Sequence, residues 1–285
     1  MGRLGSALAL ALSDAGYSVG HLVYRSGAAS EVLPGSLADA KRVQFTDLAR
    51  IDSDLLLVTT ADPEIEITAN AVTAHLHPST VVLHASGALS SQILVGPRQN
   101  GNPTASMHPL LSVSDPVRGA RNFSEAYFCI EGDDIAVSAA VDMVKALGGK
   151  PFSISSEYKA LYHASAVMAS GHLTALAGLA ASTLAHCGIR SAEPIEVLLP
   201  LIKSTVENLS AQTPAQAMTG PIARGDIEAV RRHVLAFDDA GLDEARQVYL
   251  DLAVWALELA SRNGLPVELR DEIGEYIKLA QGSAK

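Results

Sequence analysis

The sequence predicts an α/β protein in two parts. Residues 1–155 read as a doubly wound sheet with its helices, and residues 156–285 as an all-helical domain. Three observations carry this. The chain opens on MGRLGSALALALSDAGY, a glycine-marked start running into a small, apolar, periodic helix. Short apolar runs then alternate with helical periodicity to about residue 155. From Glu157 onward only long helical periodicity remains, punctuated at Gly188, Pro194, Pro214, Gly220, Gly264 and Pro266.

Gly2 and Gly5, followed by Ala7, Leu8, Ala11 and Leu12 up to Gly16, form the back half of a G-x-G-x-x-G fingerprint. Glycine lets the backbone approach a pyrophosphate, and the amides and dipole of the helix hold the anion. On this reading Gly2, Arg3, Leu4 and Gly5 bracket a cofactor pyrophosphate. The plainer alternative is a tightly packed N-terminal helix. Met1 stands where the residue between the first two glycines belongs, so the first strand is truncated. That strand normally lies mid-sheet, where each buried unpaired backbone group costs roughly 1–3 kcal/mol. We therefore expect the natural chain to start upstream, with a β-rich run ending in Gly-x before Gly2.

YSVGHLVYRS reads as the next strand, with Val19, Leu22 and Val23 as its apolar residues. Its tip, Arg25-Ser26, has no carboxylate to bind a ribose 2′-hydroxyl, which favours NADP over NAD. A solvated strand end is the alternative. Val43 to Phe45 is a short strand candidate. DLLLVTTADPEI is a buried parallel-type strand whose polar end places Thr60 and Ala61 where ligands gather. A helix from Glu64 to His75 leads to STVVLHASGAL, with His84, Ser86 and Gly87 at the tip of Val81–Leu83. Thr104 to Pro116, a strand over Ala126 to Asp134, a helix over 135–147 and KPFSIS complete the first domain. Helices are expected over 157–186, 193–209, 226–235, 241–263 and 266–280.

Composition narrows the function. A net charge of −10 argues against a general nucleic-acid or anionic-membrane surface. Cys129 and Cys187 lie in apolar surroundings without metal spacing, and read as buried free thiols in a reducing cytosol, with no metal site. No apolar run of transmembrane length and no targeting segment is legible, so a cytoplasmic protein is expected.

Chemistry concentrates in EYKALYHASAVMASGHLTAL. At about 100° per residue, Lys159, His163 and Ser170 share a stripe, while His172 points away. An ammonium and an imidazole on one face suit proton transfer or carboxylate binding. An ordinary polar stripe at a helix–solvent boundary fits the same spacing. His108, before Pro109, follows a strand and is a further candidate. Ser86 and Gly87 are placed to line a nicotinamide, although a hydroxyl there also caps helices. In TGPIARGD, Asp226 is a candidate helix N-cap.

Five segments in order, GRLGSALALAL, SGAL from Ser86, MHPL around His108, YKALYHASAV from Tyr158 and TGPIARGD from Thr219, resemble a known family. It comprises Rossmann-like proteins with a C-terminal helical domain of unknown function, related to pyrroline-5-carboxylate reductase and to the 3-hydroxyacid and 6-phosphogluconate dehydrogenases. The resemblance implies an NADP-type cofactor on the first domain, and a helical second domain that closes the cleft and makes a homodimer. It matches Lys159 to an active-site lysine, while Gly171 stands where relatives carry asparagine. The expectation is an NADP-dependent oxidoreductase moving a hydride to or from a small polar carbonyl or imine. In it Lys159, His163 and His108 are the catalytic candidates. The rival is a nucleotide- or metabolite-binding protein of the same fold without catalysis, favoured by Gly171 and the short N-terminus.

Overall fold

The computed structural model describes residues 2–24, 37–49, 51–189 and 192–282. Met1 and the Arg25-Ser26 pair lie outside them. The chain forms two compact units, Met1–Ser170 and Gly171–Lys285.

The first unit begins with α1 (Arg3–Asp14), whose N-cap is Gly2 in extended conformation. Alanine and leucine fill α1, and nearly its whole length is buried from Gly5 to Leu12. The helix ends where Gly16, at φ +90°, takes up a conformation open to glycine. Strands β1 (His21–Tyr24) and β2 (Lys41–Gln44) pair in parallel as a sheet of their own. A second sheet holds β3 (Leu55–Val58), β4 (Val81–His84), β5 (Thr104–Pro109), β6 (Tyr127–Gly132) and β7 (Lys150–Ser153) in sequence order. Pairing in it is parallel except between β5 and β6, which run antiparallel. Among the described residues no strand joins β1 to β3, so the sheet of the first unit is in two pieces.

Side-chain alternation explains how both faces of the second sheet are covered. In β3, Leu55 and Leu57 pack on one core while Leu56 and Val58 pack on the other. In β4, Val81 and Leu83 face the first core and Val82 the second. On the first face lie α1, α4 (Pro116–Asn122) and α5 (Asp134–Ala146), joined by Phe123 and Phe128. On the second lies α2 (Asp62–Thr73), through Ile65, Ala69 and Val72, with α3 (Val95–Gln99) beside it. The short helices α3 and α4 escape sequence reading because neither is long enough to show a helical period.

Gly5 sets the closeness of α1 to β3. A Cβ on it would overlap Thr59 Oγ1 and stand 3.1 Å from Thr59 Cβ, just beyond the end of β3. The third fingerprint glycine thus serves helix–strand packing, which α1 needs to seat Leu8 and Leu12 in the core.

Helix α6 (Lys159–Val167) closes the first unit, and a π-helical turn, Met168–His172, follows. Periodicity puts the domain boundary at 155, where strands cease. The compact units instead divide between Ser170 and Gly171, so that α6, with its buried Lys159, belongs to the first.

The second unit contains α7 (Leu173–Ala185), α8 (Pro194–Ala211), the short α9 (Pro214–Ala217), α10 (Ile227–Ala240), α11 (Asp243–Arg262) and α12 (Val267–Gly282). Its core is built by α10, α11 and α12 through Val230, Val234, Leu250, Ile273 and Ile277. Asp226 caps α10 by accepting the Ala229 N–H at 3.0 Å, as expected from TGPIARGD. Arg246 is buried there, donating to the Ala280 carbonyl at 3.0 Å and pairing with Asp238 at 2.7 Å. By contrast α7 and α8 have no buried residue, and Cys187, just beyond α7, is exposed rather than buried as expected. The π turn also joins Ser156–Ala185 into one helical run long and apolar enough to cross a membrane by length and composition. No such run was legible in sequence, where Glu157, Lys159 and His163 interrupt the apolar residues.

Gly5→Ala should destabilise the first unit by about 1–3 kcal/mol through overpacking. Adding Thr59→Ala should recover part of that loss in denaturant unfolding, because it removes the overlapping hydroxyl. Purely additive losses would show that the Gly5–Thr59 approach is not the constraint.

Candidate functional site at the ends of β4 and β5

Alternation along β5 puts Thr104, Ser106 and His108 on one face, and Ala105 and Met107 on the core face. Register places His84 of β4 beside Ser106, Glu131 of β6 across from Ser106, and Cys129 across from His108. A polar stripe therefore crosses three neighbouring strands of an otherwise apolar sheet. Glu131 is committed to the segment after β4, accepting the Ser91 N–H at 2.7 Å and the Ser91 hydroxyl at 2.9 Å.

Helix α6 lays three side chains over this stripe at i, i+3 and i+4: Lys159, Tyr162 and His163. Lys159 is only 2% exposed. Its ammonium donates to the Ser106 hydroxyl at 2.8 Å and to the Ser86 carbonyl at 3.1 Å. Among the described residues no carboxylate lies within 4 Å of it. Burial pushes its pKa below the ordinary lysine value, opposed by the more distant charges of Cys129, Glu131 and Asp62. A polar stripe at a solvent boundary is thereby ruled out for Lys159.

The turn after β4 shapes the site floor. Ser86 Oγ accepts the N–H groups of Ala88 and Leu89 at 3.2 and 3.1 Å, so the hydroxyl caps the turn and the carbonyl meets Lys159. His84, wholly buried, accepts the Ser86 N–H on Nδ1 at 3.1 Å. Burial, with a lesser contribution from Lys159, lowers its pKa to about 4. Gly87 lets two imidazoles close over the turn. A Cβ there would lie 2.5 Å from His163 Nδ1 and 2.8 Å from His108 Cε1 and Nε2. The rings of His108 and His163 meet edge-on at 5.9 Å. His108 Nδ1 and Tyr162 Oη are 2.7 Å apart. Burial, reinforced by Lys159, His163 and His84, lowers the His108 pKa to about 3. Burial likewise raises the Tyr162 phenol and the Cys129 thiol above their ordinary values.

Lys159, His163, His108, Ser86 and Gly87 are thus brought together in one unit. Ser170 is not, lying in the π turn about 16 Å further along the helix and exposed. Tyr162, Ser106, Cys129 and Glu131 were missed in sequence. Their signal was the alternating polarity of TASMHP and FCIEG, which only the strand register turns into a cluster.

A second feature, a cavity of about 330 Å³, lies at the N-terminus of α1 and the ends of β1 and β3. Gly2, Tyr24, Val58, Thr59, Thr60, Ala61 and Glu64 line it. Thr60 Oγ1 is buried there without a hydrogen-bond partner. Gly2 has open space where a Cβ would be, and α1 has no side-chain cap and no acidic residue in its first turn. This fits a phosphate-bearing nucleotide. Of the expected cofactor residues the cavity gathers Gly2, Thr60 and Ala61. Arg3, Leu4 and Gly5 are not among its lining residues, Gly5 being buried against Thr59.

The depressed histidines have a consequence for acid stability. Unfolded His84 and His108 take up protons near pH 6.5, whereas the folded rings stay neutral down to about 4 and 3. The unfolded state then binds more protons in that window, so stability falls as pH drops below about 6.5. His108→Gln should flatten the measured dependence of unfolding free energy between pH 4 and 6 by about one proton. An unchanged slope would count against the buried neutral ring.

Comparison with known proteins agrees with this architecture. Residues 1–109 match the Rossmann-like domain, and residues 126–255 match a domain of unknown function, DUF2520. No curated protein matches. The fold is shared with a Thermotoga maritima protein, at 24% identity over 92% of this chain and 96% of that one, with a TM-score of 0.74. It is shared also with a candidate NADP oxidoreductase from Bacteroides fragilis (21% identity, 89% and 93% covered, TM-score 0.69). A third neighbour is Plasmodium falciparum pyrroline carboxylate reductase with NADP bound (15% identity, 93% and 95% covered, TM-score 0.57). The chain thus carries a Rossmann-like domain followed by a DUF2520 domain.

Proposed function

We propose that this chain is an NADP-dependent oxidoreductase acting on a small polar carbonyl or imine. The observation that carries the reading is the buried Lys159 ammonium, held by two neutral oxygens beside two histidines at the ends of parallel strands. In open α/β sheets ligands bind beyond those strand ends. Neighbours named as NADP oxidoreductase and as NADP-bound reductase share the fold and support the choice of cofactor class.

In this reading Gly2, Thr60 and Ala61 hold the nucleotide at α1 and β3, and Arg25 and Ser26 receive the 2′-phosphate. When bound, the nicotinamide supplies or accepts the hydride. Ser86 and Gly87 floor its reacting end. Lys159, kept in place by Ser86 and Ser106, stabilises negative charge developing on the substrate. His163, with its buried Nδ1 free of a partner, and His108 offer hydrogen bonds at the same turn.

A binding protein without catalysis remains the second reading, favoured by Gly171. It falls in the exposed π turn and supplies no side chain where relatives are expected to carry asparagine. Fluorescence titration with NADPH and NADH, followed by a turnover screen against small carbonyls and imines, separates the two. NADPH should bind several-fold more tightly than NADH. Lys159→Met should leave NADPH binding nearly intact and lower turnover by about 10²–10⁴-fold. Binding without turnover of any substrate would favour the second reading, and an unchanged rate in the variant would remove Lys159 from the chemistry.

The second unit, in our proposal, associates with a second copy of the chain through α7 and α8. Their apolar side chains, including Leu173, Leu176, Leu199, Leu201 and Leu209, are exposed although the two helices pack on each other. Helices apolar on all sides are normally covered, and large exposed apolar patches mark association surfaces. Leu201, 64% exposed, lies within the patch. The chain should sediment as a dimer, and Leu201→Glu should shift it toward monomer. A wild-type monomer at micromolar concentration would overturn the assignment.

A further inference from the structure

Tyr162 is the one polar group over the turn for which neither the sequence nor the proposed reaction has a role. It stands between two titratable groups, His108 Nδ1 at 2.7 Å and the nearby Cys129 thiol. The opposite edge of the His108 ring, Cε1 and Nε2, faces the turn at Gly87. We propose that Tyr162 is a positioning residue that holds His108 in its Nε2–H tautomer, so that His108 presents an N–H donor at the Gly87 turn to the oxygen or nitrogen of the bond being reduced. The last clause rests on the oxidoreductase reading, whereas the tautomer does not.

The direction of the hydrogen bonds follows from what each group can accept. A phenol has one proton to give. Imidazole nitrogen is a strong acceptor for it, while thiol sulfur is a weak acceptor and a weak donor. The pair is satisfied when Tyr162 O–H donates to His108 Nδ1. The ring's proton is then on Nε2. The reverse tautomer would have His108 Nδ1–H donate to Oη and leave the phenol proton to the nearby thiol, a weak acceptor, in place of the strong imidazole nitrogen.

The surroundings keep His108 from carrying two protons. Lys159, His163 and His84 all face it, and burial excludes the water that would solvate an imidazolium. Lys159 is held by Ser86 and Ser106 and stands over the Tyr162 ring at 5.7 Å, so it does not compete for Oη. Phe152 packs against the other part of that ring at 5.9 Å and limits its rotation. A neutral imidazole with a fixed N–H is an effective electrophile for a carbonyl, since it donates without a change in net charge.

Long-range ¹H–¹⁵N NMR on the full chain, labelled at histidine, tests this directly. His108 is assigned by the signals lost in His108→Gln. The wild type should show His108 as a single Nε2–H tautomer that does not titrate between pH 5 and 8. In Tyr162→Phe a mixture of the two tautomers should appear, with the signals of His233, in the other unit, unmoved as a check on folding. Cys129→Ala should leave the tautomer unchanged, and if Tyr162→Phe does not fold the wild-type tautomer alone decides, since an Nδ1–H form overturns the proposal. An Nδ1–H tautomer in the wild type, or an unaltered His108 pattern in a folded Tyr162→Phe, would overturn the proposal. With a substrate in hand, Tyr162→Phe should lower kcat about tenfold or more and change KM by less than about threefold, as expected for general acid–base support. The predicted tautomer in a chain without any turnover would count against the oxidoreductase reading and leave the Tyr162 assignment standing.

Discussion

The first unit is organised around one buried ammonium. Lys159 has given up nearly all its water, and in exchange holds a backbone carbonyl at the end of β4 and a hydroxyl on β5. A buried cation without a paired carboxylate is costly, because desolvation disfavours its charged form. Fixing α6 across two strand ends compensates in part, since the same helix then carries Tyr162 and His163 to the turn at Gly87. Such an arrangement spends stability on geometry, which is the ordinary signature of a site rather than a core.

The sheet supplies what the lysine needs. The polar stripe of Ser106, His108, Cys129 and Glu131 lies on one face of β5 and β6, while their alternate neighbours Ala105, Met107 and Ile130 build the core on the other. One strand pair therefore does two jobs without compromise, because side-chain period two separates them cleanly. Glu131, bonded twice to Ser91, anchors the segment after the turn and is not drawn off to neutralise Lys159. Burial and nearby charge keep His84 and His108 neutral, so these two rings add hydrogen-bonding groups without adding charge.

The second unit presents a different balance. Its core of α10, α11 and α12 is closed by Val230, Leu250 and Ile277, and by an Arg246–Asp238 pair at its margin. Helices α7 and α8 leave their apolar faces open. The contrast lies inside one unit, and Cys187, just beyond α7, is exposed in spite of its apolar neighbours.

Much of this protein is legible in the sequence alone. The glycine-marked start of α1, the buried strand runs of β3 and β4, the long helices after residue 157 and the cap at Asp226 are all local signals, set by periodicity and by residues that favour one backbone conformation. Lys159 and His163 could be paired from spacing, because i and i+4 lie on one helix face whatever surrounds them. Tertiary structure alone decided which way that face points. It placed Lys159 inside and Ser170 outside, because eleven residues of helix, about 16 Å, separate two positions that share a phase. It also assembled Ser106, Cys129 and Tyr162 around His108, since strand register across an antiparallel pair joins residues more than twenty positions apart. Short-range patterns determine elements, whereas register and burial determine which of their side chains meet.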